Sequence, residues 1–457
     1  MEEKPPAANI KVYKRRWWML GIFIAFSASN AFQWAQYAVV ENVIVDYYQI
    51  NPLWIEWTAL SYAFNLTFLI LPTAWILEKY GMRNLALIAS WLNAGGATLK
   101  IFSSSRDSFA IAFVGQWMVA VGQLGYFPSR VAALWFGKDE ISTACSLGIF
   151  GNQIGVAIGF LLPPMIIKMN EDKAVTGEQI TFVNYLVAGA CIVVHGFIYF
   201  CFEDAPKLAP SKAALERNKE KVDFKGTLSR LIKHRGYLYL LFVYGTNMGV
   251  FCAVTTLLNR IVLTYFPDAT EHIGRIGLVT LICGIVGSIW TGVLLDKIGR
   301  YADVSLAISI GGAVTSLSLC LVVDKGSILL VYVVYAGIGF FMTGYFTVGF
   351  ETAAEITYPE NEGTTSGILN GVTQSFAIAA TMFGSWLIQQ KGVLWCCYFF
   401  FFTMLAGSFA ALKIPKDYKR TAVASCGPVE RKIENEEKTD AEIEPLKPIN
   451  GNVEESR

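Results

Sequence analysis

Apolar side chains along this chain do not alternate with polar ones at short range. They gather into long runs separated by short charged segments. Twelve such runs fall at roughly 17–39, 54–77, 83–103, 108–135, 144–167, 181–202, 237–265, 273–295, 302–323, 327–350, 364–388 and 393–413. Each approaches the ~20 residues needed to cross a bilayer core. Helix is the expected form of each run, because backbone in lipid must satisfy its own hydrogen bonds. A charged, apolar-poor segment at 203–236 divides the runs into six and six. The expected organisation is an N-terminal arm (1–16), a six-helix bundle (17–202), a central loop (203–236), a second six-helix bundle (237–413) and a disordered tail (414–457). The fold class is an all-α polytopic membrane protein.

Composition agrees with the pattern. Apolar residues make up 54% of the chain and charged residues 16%, with mean hydropathy +0.44, far from soluble averages of ~45–50% and ~25%. The net charge of +1 is spread over loops and tails without a basic patch, so no nucleic-acid partner is expected. Lys and Arg concentrate in the N-terminal arm, after the second run (Lys79, Arg83), in the central loop, after the eighth run (Lys297, Arg300) and after the twelfth. All these segments share one side if every run crosses, and the positive-inside rule makes both termini cytoplasmic. The first run has no small-residue cleavage site and reads as a retained span. Nine cysteines show no C-x-x-C spacing, arguing against a disulfide framework or a zinc site. No phosphate-binding glycine loop, metal constellation or Ser/His/Asp set points to an enzyme, and no cofactor is expected.

An internal repeat adds detail. "AWILEKYGMR" (Ala74–Arg83) follows the second run and "GVLLDKIGR" (Gly292–Arg300) the eighth. Each offers an acid (Glu78, Asp296) at a helix end, a glycine for the turn and a nearby base (Arg83, Arg300). This pairing resembles the signature loops of the major facilitator superfamily. That resemblance implies a major facilitator fold, twelve transmembrane helices in two pseudo-symmetric six-helix bundles, with a substrate site between them and transport by alternating access. The repeat also aligns "STACSLGIFGNQIG" (Ser142–Gly155) with "GTTSGILNGVTQSF" (Gly363–Phe376), setting Gln153 opposite Gln374. The two amides read either as interhelical hydrogen-bonding groups or as ligand-facing groups from opposite halves.

Longer stretches narrow the resemblance. "SNAFQW" (Ser29–Trp34), "PSRVAALWFG" (Pro128–Gly137), "FGNQIGVAIGFLLPP" (Phe150–Pro164), "TLLN" (Thr256–Asn259), "GFFMTGY" (Gly339–Tyr345) and "EITYPENEGTTSG" (Glu355–Gly367) resemble the feline leukaemia virus subgroup C receptor family. The resemblance implies facilitative uniport of choline or ethanolamine, with haem transport as the alternative and a non-transporting membrane receptor as another. A quaternary ammonium offers no hydrogen bond and is held by aromatic π faces. The family's cage aromatic falls on Trp34, with Asn30 as its polar neighbour, and the family's paired amides fall on Gln153 and Gln374. Its second cage aromatic, a tyrosine, falls on Cys252, which stands after Trp34 at the spacing that separates Glu78 from Asp296. Either Phe251, Tyr244 or an aromatic from another helix such as Tyr345 then completes the cage, or the substrate differs.

The remaining charges bear on coupling. Glu41 and Asp46 lie near the outer end of the first run, and Arg130, Glu351 and Glu355 near cytoplasmic ends. No acid is expected mid-cavity, which favours uniport. His195 reads as a packing residue. Haem would require a wider cavity and an axial ligand, and one transmembrane histidine supplies little of that. The expected partners are a small quaternary ammonium or amine alcohol, or haem, and the lipid bilayer. The chain is expected to be a monomer in the plasma membrane.

Overall fold

The computed structural model describes residues 13–416 apart from 126, 138–139, 205, 207–223, 268, 359 and 361. Most of the N-terminal arm, most of the central loop and residues 417–457 of the tail therefore lie outside the described residues. Every described element is a helix. In order they are α1 (Arg15–Ala35), α2 (Glu41–Tyr48), α3 (Pro52–Ile101), α4 (Phe109–Gly122), α5 (Pro128–Trp135), α6 (Ile141–Ile166), α7 (Lys173–Cys201), α8 (Phe224–Lys233), α9 (Arg235–Thr256), α10 (Leu258–Leu263), α11 (Thr270–Ile298), α12 (Tyr301–Val322), α13 (Ile328–Ile338), α14 (Gly344–Thr357), α15 (Glu362–Lys391) and α16 (Val393–Ala411).

Among the described residues eight spans, on α6, α7, α9, α11, α12, α13 together with α14, α15 and α16, are long and apolar enough to cross a membrane. The first four expected spans fall on α1, on the two halves of α3, and on α4 continued by α5. Alpha3 is one helix only by hydrogen-bond continuity: Gly81 has φ 81° and ψ 172° and breaks it in two. Its repeat partner Gly299 sits at φ 63° and ends α11 as a left-handed cap. Both motif glycines therefore do what the repeat required of them. At Gly81 the carboxylate of Asp204, just beyond α7, accepts from the Arg83 backbone N–H at 3.0 Å. The Arg83 guanidinium meets the carbonyl of Tyr199. Glu78 and Asp296 lie on helical backbone just before these two glycines, and Arg300 is exposed at the start of α12.

Several runs that read as continuous are interrupted. The first stops at Ala35, turns, and resumes as a 3-10 turn (Ala38–Val40) and α2. The fourth is divided by a 3-10 turn at Gln123–Gly125, and Pro128 opens α5. The tenth contains a π turn, Gly339–Thr343. Hydropathy reports apolar length and is blind to such breaks, because side chains and neighbouring helices meet the freed backbone groups. The end of the central loop also holds a short helix, α8, tied to the α14–α15 connection by Arg230 and Glu360. That hydrogen bond holds the Glu360 carboxyl below the usual carboxylate range.

Packing within each bundle follows small residues. Gly151, Gly155 and Gly159 recur every fourth position on one face of α6 and let α1 approach. A Cβ at Gly155 would lie 2.2 Å from the Ala28 carbonyl oxygen. In the second bundle α9 presents Gly245 and Gly249 to Phe376 of α15. Such small-residue seams bring helices together where lipid gives no hydrophobic drive. They also fix rotation: with its glycine face on α1, α6 turns Asn152 and Gln153 toward the second bundle. Gly155→Val is expected to destabilise the fold by about 3 kcal/mol through overpacking. Gly371→Ala should leave it intact, since nothing lies within 4 Å of a Cβ there. Melting of the detergent-purified variants separates the two.

Candidate functional site

A cavity of about 220 Å³ lies between the bundles. The first bundle lines it from α1 (Trp34), α3 (Tyr62), the 3-10 turn after α4 (Gln123) and α6 (Asn152, Gln153, Phe160). The second lines it from α9 (Phe251, Cys252), α11 (Thr280) and α15 (Gln374, Thr381). None of the described lining residues is charged. Four of the five residues expected at a substrate site, Trp34, Gln153, Gln374 and Cys252, meet here.

Hydrogen bonding divides the amides. Gln153 and Gln374 are half-buried, and among the described residues neither side chain has a protein partner. The Thr381 Oγ1 is buried and likewise unpartnered. Asn30 behaves differently. It points into the first bundle and donates to Asn93 Oδ1 at 3.1 Å and to the Val119 carbonyl at 2.9 Å. Asn30 does not line the cavity; its amide joins three helices. Gln33 donates to the same Asn93 oxygen and Gln36 donates to Asn184 Oδ1. Of the polar residues in the segment 30–37, Trp34 alone reaches the cavity. His195 hydrogen-bonds Ser90 between α7 and the second half of α3, and takes no part in the cavity.

Aromatic residues share the lining with the amides. Trp34 meets Phe160 edge-on, with centroids 6.4 Å apart and planes at 83°. The opposite wall carries Phe251. Tyr244 and Tyr345 are buried within the second bundle, 6.2 Å apart, with the Tyr345 hydroxyl on Ser305. The fold also specifies the symmetry register. Asn42 and Asn259, 217 positions apart, hydrogen-bond each other across the bundles at 3.0 Å. Asn30 and Asn247 stand at the same separation, each bonding into its own bundle. In that register the counterpart of Trp34 is Phe251, and Cys252 is one residue further on. The ring looked for at Cys252 thus has a substitute in its neighbour.

A charged cluster closes the gap at the end of the bundles away from the termini. Arg260, after α9, ion-pairs with Glu56 of α3, lies 3.7 Å from Glu41 and donates to Ser385 of α15 at 2.8 Å. Ser385 also donates to Glu56. Lys168 and Glu271 form a second bridge there at 3.0 Å. Sequence reading noted Glu41 alone of this group, because Glu56 and Arg260 sit at the margins of apolar runs and look like loop charges. Their pairing across 204 positions leaves no local signal. Among the described residues the cysteines are free thiols and no cluster could hold a metal ion.

Comparison with known proteins adds independent findings. A family model described as the Major Facilitator Superfamily matches residues 18–274 and 253–434. The chain is 36% identical to the choline/ethanolamine transporter flvcr2a of Danio rerio, over 92% of this chain and 90% of that protein. It is 35% identical to the choline/ethanolamine transporter FLVCR2 of Homo sapiens over 94% and 82% respectively. An uncharacterized MFS-type transporter of Caenorhabditis elegans is 38% identical over 92% and 72%. Among solved structures, a bacterial homologue of the human lysosomal transporter Spinster, inward-facing and occupied, superposes with TM-score 0.69 at 11% identity, covering 89% of this chain and 98% of that one. The transporter FucP in its outward conformation gives 0.57 at 14% identity, over 87% and 99%.

Replacing Arg260 by Leu leaves Glu41 and Glu56 buried together without their cation, a loss of ~3 kcal/mol or more for the closed arrangement. A membrane-impermeant thiol reagent applied from the side opposite the termini should then modify Cys252 faster than in the unmodified chain. Peptide mapping, with Cys252→Ser as the control, reads the change.

Proposed function

Since the chain belongs to the feline leukaemia virus subgroup C receptor family of the major facilitator superfamily, and is a multi-pass membrane transporter, we propose that it carries choline, and with it ethanolamine, by facilitative uniport. The observation that carries this reading is the cavity whose described lining is uncharged and holds an unpartnered amide from each bundle together with aromatic rings. A trimethylammonium head needs π faces, each worth ~2 kcal/mol or more when desolvated. Trp34 and Phe251 supply one from each bundle, with Phe160 and Tyr62 beside them. The hydroxyl at the other end of choline needs a donor and an acceptor, and Gln153 and Gln374 offer both. Gln123, Asn152 and Thr381 give the ammonium of ethanolamine further acceptors.

Haem is disfavoured by size and by chemistry. Pockets for drug-sized ligands span about 300–1,000 Å³, and the cavity here is smaller. Of its lining residues only Cys252 and Tyr62 could ligate iron, and the Tyr62 hydroxyl already donates to the Asn30 carbonyl. The described lining residues include no carboxylate or histidine, which favours transport without proton coupling. Transport then runs down the substrate gradient.

In this reading all twelve spans cross, both termini are cytoplasmic, and the protein works as a monomer in the plasma membrane. The Glu41–Glu56–Arg260 cluster closes the outer side, leaving the cavity to open inward. Rocking of the bundles breaks that cluster and closes the cytoplasmic side, the side of the repeated loops that carry Glu78, Arg83, Asp296 and Arg300.

Uptake of labelled choline tests the assignment. Trp34→Leu should raise the half-saturating concentration roughly thirty-fold, the equivalent of ~2 kcal/mol, while Trp34→Phe keeps part of the affinity. Phe251→Leu should weaken uptake in the same direction. Gln153→Ala and Gln374→Ala should each raise half-saturation about tenfold, from one lost hydrogen bond of ~1.4 kcal/mol, with abundance at the membrane unchanged. Choline uptake by Trp34→Leu equal to that of the unmodified chain would contradict the cage.

A further inference from the structure

The first bundle holds a buried cation that neither the cavity nor the closing cluster uses. Lys100, in the last turn of α3, is 1% exposed, and no carboxylate among the described residues pairs with it. Its ammonium donates to Gln116 Oε1 at 2.9 Å and to Gln36 Oε1 at 3.3 Å, and lies 5.3 Å from the centroid of the Tyr37 ring. Three N–H groups thus meet two carbonyl oxygens and one π face, a complete set of acceptors for a charged ammonium. Burying a cation in this way is costly unless each donor is met, so the arrangement calls for an explanation.

The three partners converge on one feature, the interruption of the first span: Gln36 and Tyr37 lie in it, and Gln116 reaches it from α4. Alpha1 ends at Ala35; Gln36 and Tyr37 form the turn, and a 3-10 turn follows. The carbonyls of a last helical turn lack partners within the helix. Gln116, held by Lys100, donates its Nε2 to the Gln33 carbonyl at 2.8 Å. Gln36, also held by Lys100, is anchored from α7 by Asn184, which donates in turn to the Lys100 carbonyl. Trp34 lies between Gln33 and Gln36 and projects the other way, into the cavity.

We infer that Lys100 is a positioning residue for substrate binding: acting through Gln116 and Gln36 it fixes the break in the first span and so sets where the Trp34 ring stands. The inference rests on the reading of Trp34 as a substrate-binding wall, but its structural half can be tested without any substrate. A continuous helix needs no such clamp, whereas a broken one adjoining a π face does, because freedom at the turn moves the ring.

Two measurements on Lys100→Met test it. Backbone hydrogen exchange should accelerate about tenfold or more in residues 33–40 and remain unchanged in the rest of the first bundle. The half-saturating concentration for choline should rise about three- to tenfold at near-normal maximal rate. In a Trp34→Phe background that rise should shrink to twofold or less, since the two residues act through one ring. Gln116→Glu keeps a partner for Lys100 but removes the donor to Gln33, and should reproduce both effects if Lys100→Met fails to fold. Exchange that is unchanged at 33–40, or raised throughout the bundle, overturns the inference; so does a choline effect that adds fully to Trp34→Phe. An unmodified chain that takes up no choline but shows the local exchange change in Lys100→Met would refute the substrate assignment and leave Lys100 as the clamp of the break.

Discussion

An amide removed from water must find a hydrogen-bond partner or cost about 1–3 kcal/mol, and in a membrane bundle water supplies few. That constraint sorts the polar residues of this chain. Inside the first bundle Asn30 bonds Asn93 and Gln36 bonds Asn184, while Gln116 accepts from Lys100 and donates to the Gln33 carbonyl. Gln153 and Gln374 have no protein partner among the described residues and face a shared cavity. Similar side chains thus stand differently, one set bonded within the first bundle and the other without a partner among the described residues at the cavity. The rest of the reading follows from this division, because a site that offers amides and π faces but no charge accepts a small cation with a hydroxyl better than an anion or a large planar group.

The seams that orient these residues are made of glycine. The α6 face that carries Gly151, Gly155 and Gly159 seats on α1, and the α9 face that carries Gly245 and Gly249 seats on α15. Each seam leaves one rotational position for the helix, and that position turns Gln153 and Phe251 to the interior. Glycine also brings the bundles together, where Gly274 and Gly277 of α11 meet Phe160 of α6, and Arg260, Glu56 and Ser385 add polar contacts at the far end. In the proposed rocking of the bundles these contacts are the ones that must part.

Much of this was legible in the sequence, and the illegible part has one cause. The repeated loops called for a glycine at a turn in each half, and Gly81 and Gly299 stand there at positive φ. The alignment of halves selected Gln153 and Gln374, and family resemblance selected Trp34. Asn30 stands four residues before Trp34 and reads as its companion, yet one helical turn with a slight rotation carries its amide to Asn93. Which side of a helix meets a cavity is decided by tertiary contacts, and a polar residue looks the same on either side. Lys100 and the Glu56–Arg260 pair were invisible for the related reason that their partners lie far away in sequence. The one-residue difference between Cys252 and Phe251 needed the cross-bundle contact of Asn42 with Asn259 to appear, since motif spacing in loops does not specify register within spans.

A structure determined with choline at saturating concentration examines the division between fold-completing and ligand-facing amides most directly. A cation held by π faces should place its trimethylammonium group between Trp34 and Phe251, with the hydroxyl within hydrogen-bond reach of Gln153 or Gln374 and Asn30 still bonded to Asn93. Choline found outside this cavity, or lying against a carboxylate with the Gln153 and Gln374 amides bonded to protein, would contradict it.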